Sequence, residues 1–206
     1  MSGWSGIQLQ ADEGPAGVGG GLVEDLRRAL AEAGGGNVIV VGVGNTTRGD
    51  DGVGPAVVEE LRGTAVAALD VGDAPERYLG PITESGAQVV LFVDAVDFGG
   101  GAGEAVLLEE QEVPRQSCVT HRSALGLVMR YVREQAGQRS LLIGVQPASI
   151  APGSAMTPPV RRAAKGIAAA VSEALGTAPT CSGSGSGPAE TTEEPPAGAG
   201  GECGQR

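Results

Sequence analysis

The chain has 206 residues, 41% hydrophobic and 19% charged, with 36 Gly, 13 Pro, one Trp, two Tyr, two Phe and a formal net charge of −11. This is the composition of a globular protein whose core is built from Val, Leu, Ile and Ala, and the length suits one domain of about 150 residues with tails. No apolar run reaches the roughly 18 residues that cross a bilayer, Met1 to Gly20 lack the basic-then-apolar order of a secretory signal, and the acidic balance argues against nucleic acid as partner.

Cys118, Cys181 and Cys203 form no CxxC pair, and their odd number argues against a disulfide framework. A cytoplasmic enzyme or binding protein is the expected class.

Residues 1–20 are Gly-rich and aperiodic and read as a flexible extension. Helical spacing over Leu22–Leu30 stops at Gly34-Gly35-Gly36. Val38–Val43 is a continuous, largely β-branched run, the pattern of a parallel strand buried on both faces. A Gly-rich loop leads to Pro55–Arg62 at helical period, followed by a second strand over Ala65–Val71 and a short helix over Pro75–Thr83. Val89–Val93 is a third strand, as apolar as the first, and Ala105–Leu108 a fourth, read as an edge strand. Ala124–Gln135 is helical, with Leu125, Val128, Met129 and Val132 on one face. Leu141–Val145 is a fifth strand, and Val160–Leu175 a closing amphipathic helix. Residues 177–206 hold no Val, Leu, Ile or Phe and read as a disordered acidic tail.

The domain then spans residues 21–176. Strand–helix alternation of this kind predicts an α/β three-layer sandwich: a mostly parallel twisted sheet of about five strands with helices on both faces. Ligands of such sheets sit beyond the carboxyl ends of the strands, at a topological switch. The polar residues that follow each strand are therefore the candidates.

After the first strand comes Gly44-Asn45-Thr46-Thr47-Arg48-Gly49-Asp50-Asp51-Gly52. The loop matches neither GxGxxG nor GxxxxGK[ST] and contains no Lys, and two adjacent acids would repel a pyrophosphate, so no nucleotide is expected. The acid pair can serve as a helix cap or as ligands. Asp94 closes the apolar third strand, where a carboxylate must be hydrogen-bonded or hold a cation. Asp97, further along, reads as a turn former. His121 is the single histidine and precedes a helix. One imidazole and two carboxylates from separate loops would make an open site for a borderline divalent ion, unlike a tetrahedral thiolate zinc site. No GxSxG elbow is present, and nothing in the sequence marks Cys118 as a nucleophile.

Five segments, in order and in register, resemble the [NiFe]-hydrogenase maturation endopeptidases: VIVVGVGNTTRGDDGVGPAVVEEL, the loop around Asp70, VVLFVDAVDFGGGAGEAVLLE, THRSALGLVMRYV and LLIGVQPASIAPGSAMTPPVRRAA. The likeness covers residues 38–175. The GDDG form, the APE after Asp70 and the THR before the helix look most like the formate-hydrogenlyase branch.

The resemblance implies an endopeptidase, often classed as aspartic-type. It would remove a C-terminal extension from a [NiFe]-hydrogenase large-subunit precursor after nickel insertion. Cleavage would follow a His or Arg just past the last metal-binding cysteine motif. By position, the nickel-contacting residues fall on Asp51, Asp94 and His121, and nickel would arrive with the substrate. Neither a nucleic acid nor a membrane partner is implied. A rival from another class is a non-catalytic nickel-sensing assembly chaperone on the same fold. One departure is Asp70-Val71-Gly72-Asp73, where the family often has Asp-Gly-Gly and then Ser or Thr, so the shape or recognition of that loop is expected to differ.

Overall fold

The computed structural model describes residues 7–9, 20–113 and 122–176. The predicted tail at 177–206 lies outside them, as do most of residues 1–19 and the segment 114–121 with Cys118 and His121.

The chain forms β1 (Ile7–Leu9), α1 (Gly20–Glu32), β2 (Val38–Val43), α2 (Val53–Glu60), β3 (Ala67–Gly72), α3 (Leu79–Thr83), β4 (Val89–Ala95), β5 (Ala105–Glu109), α4 (Arg122–Ala136), β6 (Arg139–Val145) and α5 (Pro158–Ala174). The strands make one sheet in the order β1-β5-β6-β4-β2-β3. The β3–β2, β2–β4 and β4–β6 ladders are parallel, whereas β5 runs antiparallel to both β6 and β1.

Two departures from the sequence reading concern the far edge. The extension expected over residues 1–20 contains β1, which pairs Ile7 with Leu107, so the sheet has six strands and β5 is not its edge. Three residues are too few to show a period against a Gly-rich background, and their pairing is with a strand about a hundred residues on. Helix α1 also begins at Gly20.

Every residue of β2 and β4 is buried, as their continuous apolar runs require. Alternate residues feed two cores. Val40, Leu91, Val93 and Ile143 pack under α1, α2 and α5; Val41, Phe92 and Leu142 pack under α4 and α3. On α4 the predicted face is the buried one, with Leu125, Val128, Met129 and Val132 all inside. The segment predicted as a short helix over 75–83 divides into a 3₁₀ turn, Pro75–Tyr78, and α3.

Away from the site end, Arg139 braces the sheet. Its guanidinium donates to the Ala29 carbonyl at 2.6 Å and to Glu32 at 3.1 Å, and pairs with Glu109. The Glu109 carboxylate holds its pKa above the ordinary value. Among the described residues, no helix is long and apolar enough to cross a membrane.

The glycines of the β2–α2 connection are there for packing. A Cβ on Gly54 would stand 2.3 Å from the Val43 carbonyl oxygen and 2.4 Å from that of Val93, and one on Gly42 would lie 2.4 Å from the Gly54 carbonyl oxygen. Helix α2 thus sits directly on the backbone of the two central strands. Gly54→Ala should cost about 3 kcal/mol, the upper end for overpacking, because backbone atoms form the obstruction. The urea midpoint of unfolding measures this; an unchanged midpoint would mean that α2 can lift off the sheet freely.

Candidate active site

The chain passes from β2 through α2 to the edge strand β3, then returns across the sheet to β4 on the other side of β2. The direction of winding therefore reverses between β2 and β4, which makes their carboxyl ends the switch point of the fold. Asp51 follows β2 and Asp94 is the penultimate residue of β4, so two of the three predicted residues belong to this point.

After β2 the chain bends sharply. Gly44 adopts φ +133°, and a Cβ there would lie 1.8 Å from the Asp51 carbonyl oxygen, so only glycine admits the approach of the Gly49–Gly52 3₁₀ turn. The turn carries both acids and gives them different tasks. Asp50 is fully buried, and its carboxylate accepts from Ala148 N at 2.8 Å, Ser149 N at 3.0 Å, Thr157 N at 2.6 Å and Thr157 Oγ1 at 3.0 Å. Backbone bonds strengthen the junction, with Asp50 N donating to Ser149 O at 3.0 Å and Gly49 N to Ser154 O at 3.1 Å. Asp50 is thus the internal solvent of the β6–α5 loop, and it caps neither its own turn nor α2.

Asp51 faces the other way. Its Oδ2 accepts from Asn45 N at 3.0 Å, which draws the carboxylate back to the end of β2. It lines a cleft of about 200 Å³ together with Ala95, Asp97, Gln146 and Pro147–Ile150. Oδ1 makes no hydrogen bond among the described residues and is the atom left for a ligand or a proton.

Gly42 pairs with Val93, so Asp94 stands one residue beyond the last β2–β4 pair. It is 5% exposed, and its Oδ1 accepts from Ala95 N at 2.8 Å. Strand alternation sends its side chain to the Phe92 face of the sheet, whereas Ala95 packs on the α2 face. Asp94 is not among the residues lining the Asp51 cleft. His121 lies outside the described residues. Among those described, no three His, Cys, Asp or Glu side chains form a metal-ligating group.

The β3 end adjoins the same loop. Gly72 N donates to Asp70 Oδ1 at 2.9 Å, and Gly44 N donates to Gly72 O at 2.8 Å. Asn45 Nδ2 donates to Asp73 Oδ2 at 3.0 Å, while Asn45 Oδ1 accepts from Thr47 N and Oγ1. Of the two departures in this loop, Val71 is buried in the second core and Asp73 is tied to Asn45 beside Asp51.

Sequence reasoning passed over Gln146, which is 7% exposed and follows β6 directly. Its Oε1 accepts from three successive amides, Phe98 at 2.9 Å, Gly99 at 3.0 Å and Gly100 at 3.1 Å. Its Nε2 donates to Asp97 Oδ1 at 3.1 Å and Pro147 O at 3.2 Å. The signal was available: a polar residue directly after a buried apolar run, the same signal that marks Asp94.

A family model described as hydrogenase maturation protease matches residues 55–175. Over 134 residues the chain is 29% identical to the hydrogenase 3 maturation protease of Escherichia coli K12, covering 63% of this chain and 85% of that protein. The fold is similar to the crystal structure of a [NiFe] hydrogenase maturation protease, HycI, from Thermococcus kodakarensis, with TM-score 0.67 and 31% identity across 74% of this chain and 99% of that one. The solution structure of the endopeptidase HycI from Escherichia coli matches with TM-score 0.60 and 25% identity across 69% and 95%. The matched family segment contains Asp94 and His121 and begins just after Asp51. With the doubly wound sheet, the acids at its switch point and these likenesses in agreement, the chain belongs to the hydrogenase maturation protease family and is a maturation endopeptidase.

Proposed function

We propose that this endopeptidase removes the C-terminal extension of a [NiFe]-hydrogenase large-subunit precursor, in the cytoplasm, once nickel has been inserted. The observation that carries the reading is the pairing of Asp51 and Asp94 at the adjoining ends of β2 and β4, with a cleft beside Asp51. Nickel belongs to the substrate and comes with it. Asp51, Asp94 and His121 are its proposed contacts, a mixed carboxylate and imidazole set that suits a borderline divalent ion. Three such ligands can recognise a loaded precursor without keeping its metal.

In the cleavage, a water oxygen adds to the scissile carbonyl carbon, the C–N bond breaks, and a proton passes to the departing amine. Asp51, beside the cleft, is the proposed acceptor of the water proton, through the Oδ1 that the bond from Asn45 N leaves over. An aspartic dyad needs two close carboxylates that share a proton, and two acids on different loops do not by themselves make one, so the aspartic-type label here describes the acids used rather than their pairing.

The test compares nickel-loaded and nickel-free precursor incubated with the purified protein, followed by mass spectrometry. The loaded precursor alone is expected to lose the mass of its extension, and His121→Ala is expected to abolish that loss. Binding of loaded precursor without cleavage would favour an assembly chaperone, and equal cleavage of both precursors would remove nickel from recognition.

A further inference from the structure

The β4–β6 ladder ends where Val96 N donates to Val145 O at 2.8 Å. Beyond that bond the chain after β4 turns away toward β5, and among the described residues no further backbone bond joins the ends of these two strands. The next residue of β6 supplies a side chain instead. The Gln146 carbonyl oxygen gathers three consecutive N–H groups, and its NH₂ holds the Asp97 carboxylate that begins the turn.

The loop is shaped to fit around this amide. Gly99 adopts φ +80°, and a Cβ on Gly100 would stand 2.4 Å from the Phe98 ring. Asp97 Oδ1 also accepts from Gly99 N at 3.2 Å, which closes the turn from the other side. Ala95, Asp97 and Gln146 then form one wall of the cleft that contains Asp51, and the same turn begins just after Asp94.

From this geometry we infer that Gln146 is a positioning residue for the cleavage. It fixes the Asp97–Gly100 turn and thereby the β4 wall of the site. The inference rests on the endopeptidase reading above. Its specific content is the direction of the hydrogen bonds: one oxygen must accept from the three amides, and the other end must donate to residue 97.

That direction can be exchanged. Gln146→Glu keeps an oxygen for the three amides but sets a second carboxylate against Asp97. Adding Asp97→Asn removes that repulsion and gives residue 97 an NH₂ that donates to the carboxylate introduced at position 146. Because one Asp97 oxygen receives both Gln146 Nε2 and Gly99 N, and Gln146 Nε2 also serves Pro147 O, the Gly99 and Pro147 bonds are not restored with it. Displacing a reacting group by about 1 Å costs about 10²-fold in rate, so Gln146→Glu is expected to lower kcat roughly 10- to 100-fold. KM should stay within about threefold, since the substrate contacts elsewhere are intact. The double variant should recover kcat at least about threefold over Gln146→Glu.

Hydrogen exchange reads the same clamp without any cleavage. The Phe98, Gly99 and Gly100 amides should exchange faster in Gln146→Leu and recover protection in the double variant. Unchanged protection in Gln146→Leu would overturn the clamp. Wild-type kcat in Gln146→Glu, or no recovery in the double variant, would overturn its role in the reaction. A wild-type protein that cleaves no precursor would sink the endopeptidase reading and this role with it, while the exchange result would still report on the clamp.

Discussion

Asp51→Asn should yield a folded protein that processes precursor at least about 10²-fold more slowly. The carboxylate accepts Asn45 N through Oδ2, and an asparagine carbonyl oxygen can accept the same bond, so the loop keeps its shape. What changes is the other oxygen, on the cleft side. An NH₂ there neither takes a proton from water nor binds a cation, and loss of a positioned general base typically costs about 10²- to 10⁴-fold. The expected signature is a fall in kcat with the thermal midpoint within a few degrees of the wild type. A variant that processed precursor at the normal rate would exclude Asp51 from the chemistry, whatever its position at the strand end.

The neighbouring acid should behave in the opposite way. Asp50→Ala is expected to cost about 3–5 kcal/mol, because it removes a fully buried carboxylate and leaves the amides of Ala148, Ser149 and Thr157 without their acceptor. For a domain of this size that is a fall of roughly 10 °C or more in Tm. Asp50→Asn should fall between the alanine variant and the wild type, since its NH₂ faces donors where an oxygen was. A loss below about 1 kcal/mol for Asp50→Ala would mean that water replaces the carboxylate and that the β6–α5 loop does not depend on it. One peptide bond thus separates a stability phenotype from an activity phenotype, and measuring both quantities on both variants distinguishes them.

The pair also marks how far the sequence could be read. Val38–Val43 and Val89–Val93 declared themselves as buried parallel strands because every position is apolar; Asp94 drew attention because a carboxylate ending such a run needs a partner, and Asp51 as one of an acid pair in the loop after β2. Those arguments are local. Which acid of Asp50-Asp51 is structural depends on Ala148, Ser149 and Thr157, 98 to 107 residues away, and no local pattern encodes that distance. Gln146 likewise has its partners some 46 to 49 residues earlier. The loop after β2 spoke against a nucleotide by its motif and its acids, but what the glycines of this region serve was not legible; the backbone distances around Gly42 and Gly54 give it, a close approach of α2 to the strands. Strand β1 escaped notice because three residues carry too little periodicity.

The tie between Asp50 and the loop before α5 bears on biosynthesis. A chain leaving the ribosome exposes Asp51 early, yet the other side of the Asp51 cleft, Gln146 to Ile150, is made about a hundred residues later, with Thr157 later still. Such a long-range closure is among the last contacts to form in translation order. A nascent or prematurely terminated product therefore has no assembled cleft beside Asp51, which is complete only when the C-terminal third of the chain has been made.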